Sequence, residues 1–158
     1  MQFLSEKICA LWCWTSYQLM NLAPVFSLIA RLYIAKVFLL SGYNKISDWP
    51  STLYLFTSEY DVPLLPPVLA AVLATIGELG LSVGLALGFK TQFSAFGLLV
   101  LNIVAVVSYY SELVSSPVAI HDHIEWGIIL CLLIVSDVHQ WSLDEFLRGN
   151  EGKEQRHA

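Results

Sequence analysis

The sequence predicts an all-α fold, a four-helix transmembrane bundle with an N-terminal interfacial helix. Three observations predict it. Four apolar stretches of about twenty residues, the length that crosses a bilayer as a helix, occupy most of the 158 residues. Only 13% of residues are charged, against about 25% in soluble domains, and mean hydropathy is +0.64. Proline and glycine fall where the stretches would begin and turn.

Residues 1–23 form an N-terminal segment. Its stretch from Phe3 to Met20 carries Glu6 and Lys7 near one end and aromatic residues along its length, the composition of a helix lying on the membrane. Lys7 is followed only by a short apolar run, Ile8 to Trp14, with no small-residue cleavage pattern, so a signal peptide is not predicted. Residues 24–144 form the transmembrane domain. Span one runs from about Pro24 to Ile46, with Pro24 suited to a helix start and Asp48-Trp49-Pro50 ending it. A polar loop, Ser47 to Leu64, follows. Span two runs from about Leu65 to Leu87, and Gly88-Phe89-Lys90 makes a tight turn. Span three runs from about Thr91 to Tyr110, a short loop holds Glu112 and Pro117, and span four runs from about Val118 to Trp141. Residues 145–158 are a polar tail.

Basic residues orient the bundle. Lys7, Lys90, Arg148, Lys153 and Arg156 fall on one side, whereas the other has Lys45 among Asp48, Glu59, Asp61, Glu112 and Asp122. The positive-inside rule then puts both termini in the cytoplasm. The formal net charge is −5, and no basic run or basic–aromatic interleaving occurs, which excludes a nucleic-acid partner from the reading. The lipid bilayer is the partner that composition implies.

Ionisable residues inside spans carry the functional signal, because a charge in hydrocarbon costs ~2.5–3.5 kcal/mol even on lenient scales. At helical spacing, Arg31, Ala35, Phe38, Gly42 and Lys45 share one face of span one, whereas Lys36 points away from it. Glu78 sits mid-way along span two, on a face with Ala71, Ala74, Ser82 and Leu85. Opposite it, Gly80-xxx-Gly84-xxx-Gly88 predicts close helix packing. In span four His121 and Glu125 share a face and His123 points elsewhere. Lys45, Asp48, His121, Asp122 and Glu125 lie near span ends on one side and are expected to converge in a polar pocket. Glu78 with Arg31 or Lys36 reads as a buried ion pair in register, or as a proton relay or head-group site. His-x-His with carboxylates has metal-ligand types, but the two rings diverge on a helix, so no metal is assigned. Cys131 is expected as a buried thiol, and Cys9 and Cys13 lack the spacing of a zinc or redox motif. The tryptophans read as interface anchors.

RLYIAKVFLLSGYNK from Arg31 to Lys45, the loop with Tyr60 and Val62-Pro63, Glu78, Gly88 before Thr91, and Trp141-Ser142-Leu143-Asp144 together resemble the DoxX family of small four-span membrane proteins. The likeness runs from about Arg31 to Asp144. Two positions depart from the pattern: Gln92 stands where a basic residue is common, and Lys36 has no counterpart. The resemblance implies a bacterial inner-membrane protein associated with membrane redox chemistry, one branch being the quinone-reducing subunit of a thiosulfate:quinone oxidoreductase. The expectation is a small subunit of a membrane redox system handling a quinone or similar lipid-soluble partner. Glu78 and Arg31 would be its catalytic groups, and Lys45, Gly42, Glu125 and His121 would line the cofactor site, within a protein complex or homo-oligomer. The alternatives are a non-enzymatic anchor or maturation factor for a partner enzyme, or a small-solute transporter.

Overall fold

The computed structural model describes residues 12, 14–62, 64–136 and 141–147. Its elements are α1 (Ala23–Ser47), α2 (Trp49–Ser58), α3 (Pro67–Leu87), α4 (Thr91–Ser108), α5 (Tyr110–Ser115) and α6 (Pro117–Val135), with no strand among the described residues. Four helices, taken as residues 14–47, α3, α4 and α6, are long and apolar enough to cross a membrane. Residues 14–20 are helical and join α1 through a turn at Asn21 and Leu22. The rest of the expected interfacial helix, with Cys9 and Cys13, lies outside the described residues.

The spans alternate in direction, and α1 packs on α3, α3 on α4, α4 on α6 and α6 back on α1. The bundle therefore has a turn end, at Gly88–Lys90, and an α2 end. Packed side chains fill the half towards the turn end: Ile34 and Phe38 of α1, Leu85 of α3, Ala95 and Leu98 of α4, Leu130 and Leu133 of α6. Gly88 terminates α3 in the left-handed conformation (φ 68°), which glycine adopts without a Cβ penalty. Asp144 ties the returning chain to that turn. Its carboxylate accepts from Lys90 N (2.7 Å), Thr91 N (3.0 Å) and Thr91 Oγ1 (3.2 Å), so it satisfies the open start of α4.

At the other end the segment expected as a polar loop folds into α2. Asp48 caps it, accepting from Ser51 N at 3.2 Å, and Pro50 occupies the first turn. That bonding to Ser51 holds the Asp48 carboxyl below the usual range. Phe56 of α2 packs on Ala70 and Ala71, covering the first turns of α3. Mid-α3 thus lies level with the end of α1. Span four ends earlier than expected, at Val135, and Cys131 is exposed on its outer face rather than buried.

The expected small-residue stripe of α3 holds in part: a Cβ on Gly84 would lie 2.7 Å from Ser94 Oγ of α4, so α4 packs closely there, whereas Gly80 is open. A Cβ on Gly80 would meet nothing within 4 Å, so no helix approaches it among the described residues. Between α1 and α3 the close approach is at Gly42, where a Cβ would lie 2.7 Å from Leu79 Cγ and 3.3 Å from Glu78 Cβ. Gly42→Ala is expected to push α3 away and lower stability by about 1–3 kcal/mol. Gly80→Ala should be neutral or stabilising by up to ~1 kcal/mol. Thermal unfolding of the two variants in detergent checks the contrast.

Candidate functional site

The face of α1 carrying Arg31, Ala35, Phe38, Gly42 and Lys45 points into the bundle, as does the Glu78 face of α3. With Gly42 admitting α3 and α2 holding its start, Glu78 meets Lys45. Lys45 Nζ donates to Glu78 Oε1 at 2.9 Å, to Oε2 at 2.8 Å and to Ser41 Oγ at 2.9 Å. An ammonium has three donors, and all three are used. The side chains are 18% (Lys45) and 11% (Glu78) exposed.

Two cavities meet at Lys45. The larger, about 650 Å³, is lined mainly by apolar side chains of α1, α3 and α4, with polar groups from Ser41, Asn44, Lys45, Tyr60, Glu78, Ser108, Tyr109 and His123 among them. Leu73 of α3 and Val100 and Val104 of α4 line it and are themselves exposed. The cavity therefore communicates with the apolar flank of the bundle between α3 and α4. The smaller, about 250 Å³, runs from Lys45, Ser41 and Asn44 to Asp48 and Ser51 at the α2 end.

Three further groups complete the large cavity. Tyr60 is held over it by Asp61 N, which donates to Ser108 O at 3.0 Å, and by edge contacts to Phe56 and Tyr109, each at 4.8 Å between centroids. Burial pushes the Tyr60 phenol above its usual range, and neighbouring Tyr109, Glu59 and Glu78 push the same way, so it stays neutral. His123 of α6 is fixed by Asn102 of α4. Asn102 Nδ2 donates to His123 O at 2.9 Å, and Asn102 Oδ1 faces His123 Nδ1 at 2.7 Å. An amide oxygen can only accept, so Nδ1 carries a proton, and Nε2 is the ring nitrogen left free of Asn102. Trp126 stacks edge-on against His123 and Phe38. Ser108 Oγ is buried with no hydrogen-bond partner.

Several expectations need correction. Arg31 does not join Glu78. It is fully buried near the turn end, its Nη2 donating to Trp141 O at 3.0 Å and its guanidinium pressed on Gly88, in the field of Asp144. Fourteen residues of helix, ~21 Å, separate it from Lys45. Lys36 is exposed and does not reach Glu78 either. His121 and Glu125 do not converge with Lys45. His121 Nδ1 lies 2.6 Å from Pro117 O, one turn back on its own helix. Glu125 Oε1 accepts from Tyr33 OH at 3.1 Å on the exposed side. The inward face of α6 is that of His123 and Trp126, which periodicity alone had turned outward and to the interface. Among the described residues no three His, Cys, Asp or Glu side chains gather as metal ligands would.

The family model for DoxX matches residues 26–111, from α1 into α5. The chain belongs to the DoxX family. It is an integral membrane protein of that family, and no curated protein and no solved structure matches it. The DoxX match takes in Lys45, Tyr60 and Glu78 and stops before α6, so only the fold brings His123 to the cavity.

Removing one partner of a buried pair strands the other. Lys45→Met and Glu78→Met alone are each expected to cost about 3–5 kcal/mol, whereas the double variant should be close to the wild type. A double-mutant cycle of unfolding free energies measures this coupling.

Proposed function

We propose that this DoxX protein is a small membrane subunit that binds a quinone, or a similar lipid-soluble redox partner, in the large cavity with the head group against Lys45 and Glu78. One observation carries the reading. An apolar cavity that opens on the lipid-facing flank ends on a buried ion pair, and a second chamber, walled by Asn44, Asp48, Ser51 and Thr52 among others, leads from Lys45 to the α2 end. A volume of about 650 Å³ lies within the ~300–1,000 Å³ of small-molecule sites. The partnerless Ser108 hydroxyl at the cavity wall is a polar atom that a ligand oxygen would satisfy.

A bound quinone would supply two-electron redox chemistry coupled to proton uptake. The protein's own groups suit the proton side of that chemistry. Lys45 offers a positive charge to a ligand oxygen. Glu78 is a carboxylate able to take and release a proton beside it. The chamber past Asn44 to Asp48 gives protons a polar route that bypasses the apolar cavity. Tyr60, as a neutral phenol, and His123, through Nε2, are the further hydrogen-bonding groups around the head group. Replacing a buried ion pair by apolar residues is commonly neutral or stabilising, so its presence here is better explained by ligand chemistry than by stability. Lys90 at the turn end and Asp48, Glu59, Asp61 and Glu112 at the other support a cytoplasmic turn end.

The Lys45→Met/Glu78→Met variant should fold yet bind a short-chain quinone at least roughly ten-fold more weakly than the wild type. Quenching of Trp126 fluorescence reports binding, with Trp126→Phe as the control for the other tryptophans. Equal affinity in the double variant would remove the pair from the site.

A further inference from the structure

Among the described residues, two charged side chains remain exposed in the middle of the spans. Glu125 lies near the middle of α6 and Lys36 near the middle of α1, and both are exposed. Tyr33 OH bonds Glu125, and the Phe38 ring meets Trp126 at 6.1 Å. Lys36 lies between Tyr33 and Phe38 in α1, so the two charges sit at the same depth. The faces that carry them adjoin across the Tyr33–Glu125 bond. On α1 that face holds Ile29, Leu40 and Tyr43, and on α6 Ile124, Ile128 and Leu132, all exposed. Only Leu130 and Leu133 of α6 are buried. Within one chain Lys36 makes no ion pair or hydrogen bond among the described residues, and Glu125 has only the Tyr33 hydroxyl. Exposed charges at this depth in lipid are costly unless paired.

We propose that a second copy of this chain covers the α1–α6 face in a two-fold dimer, with Lys36 of each copy paired to Glu125 of the other. Charge complementarity selects this occupant. A two-fold axis along the membrane normal keeps depth unchanged and brings a surface onto itself. A patch with one positive and one negative group at one depth therefore pairs both charges twice. Leu40 belongs both to this face and to the wall of the large cavity, whereas Leu73, Val100 and Val104 expose the cavity on the α3–α4 flank, which the dimer leaves uncovered.

The test is energy transfer between donor- and acceptor-labelled full-length chains reconstituted at low density in phosphatidylcholine vesicles. Wild-type chains should transfer. Lys36→Glu alone and Glu125→Lys alone should each fall to the level of a non-interacting control, with association at least roughly ten-fold weaker. Mixing the two variants should restore transfer, because each Glu then faces a Lys, and an ion pair within one chain cannot be rescued in this way. Lys36→Leu, which only removes a lipid-facing charge and leaves folding intact, should also lose transfer. The proposal is overturned by absence of transfer between wild-type chains, by persistence in Lys36→Leu (a snorkelling lysine), or by a variant mixture that stays at the control level.

Discussion

A charge left alone in hydrocarbon is too costly to keep, and the way Lys45 and Glu78 satisfy each other organises one half of this bundle. Gly42 is small so that α3 can come close enough. Ser41 takes the third ammonium proton. The cap at Asp48 starts α2, and α2 in turn packs Phe56 on the beginning of α3, which sets the axial offset that brings mid-α3 level with the end of α1. Each of these features is a condition for the pair, and the cavity surrounds what they jointly hold.

The other half meets the same constraint by closure. Arg31 is buried where the turn after α3 and the chain after α6 converge, and its donor meets the Trp141 carbonyl while Asp144 lies close by and caps α4. Around it the core is filled by Ile34, Leu85, Leu98 and Leu130. A packed, tied end therefore lies beneath an open end with a polar pole, the arrangement that the proposed binding role requires.

Much of this was legible in the residues, for definite reasons. Helical spacing alone put Arg31, Phe38, Gly42 and Lys45 on one inward face and Glu78 on another, because direction around a helix follows from sequence separation. Depth does not. The partner of Glu78 depends on how far α3 slides past α1, and that is set by α2, a helix within what composition made look like a polar loop. Its signals, Asp48 as cap and Pro50 in the first turn, are present in the sequence but also end α1. The face of α6 was misread because the helix is apolar nearly all round. With little amphipathic contrast, His121 and Glu125 looked as inward as His123 and Trp126, and only Asn102, far away in sequence, decides between them.

Photolabelling with a short-chain azidoquinone, followed by mapping of the modified residues, addresses the account most directly. The account predicts label on the walls of the large cavity, in α1 between Ser41 and Lys45, in α3 between Leu73 and Glu78, and in α4 between Val100 and Ala105, and excess unlabelled quinone should abolish it. Labelling confined to the outer faces of the helices, or no labelling that competitor removes, would contradict the assignment of this cavity as the site.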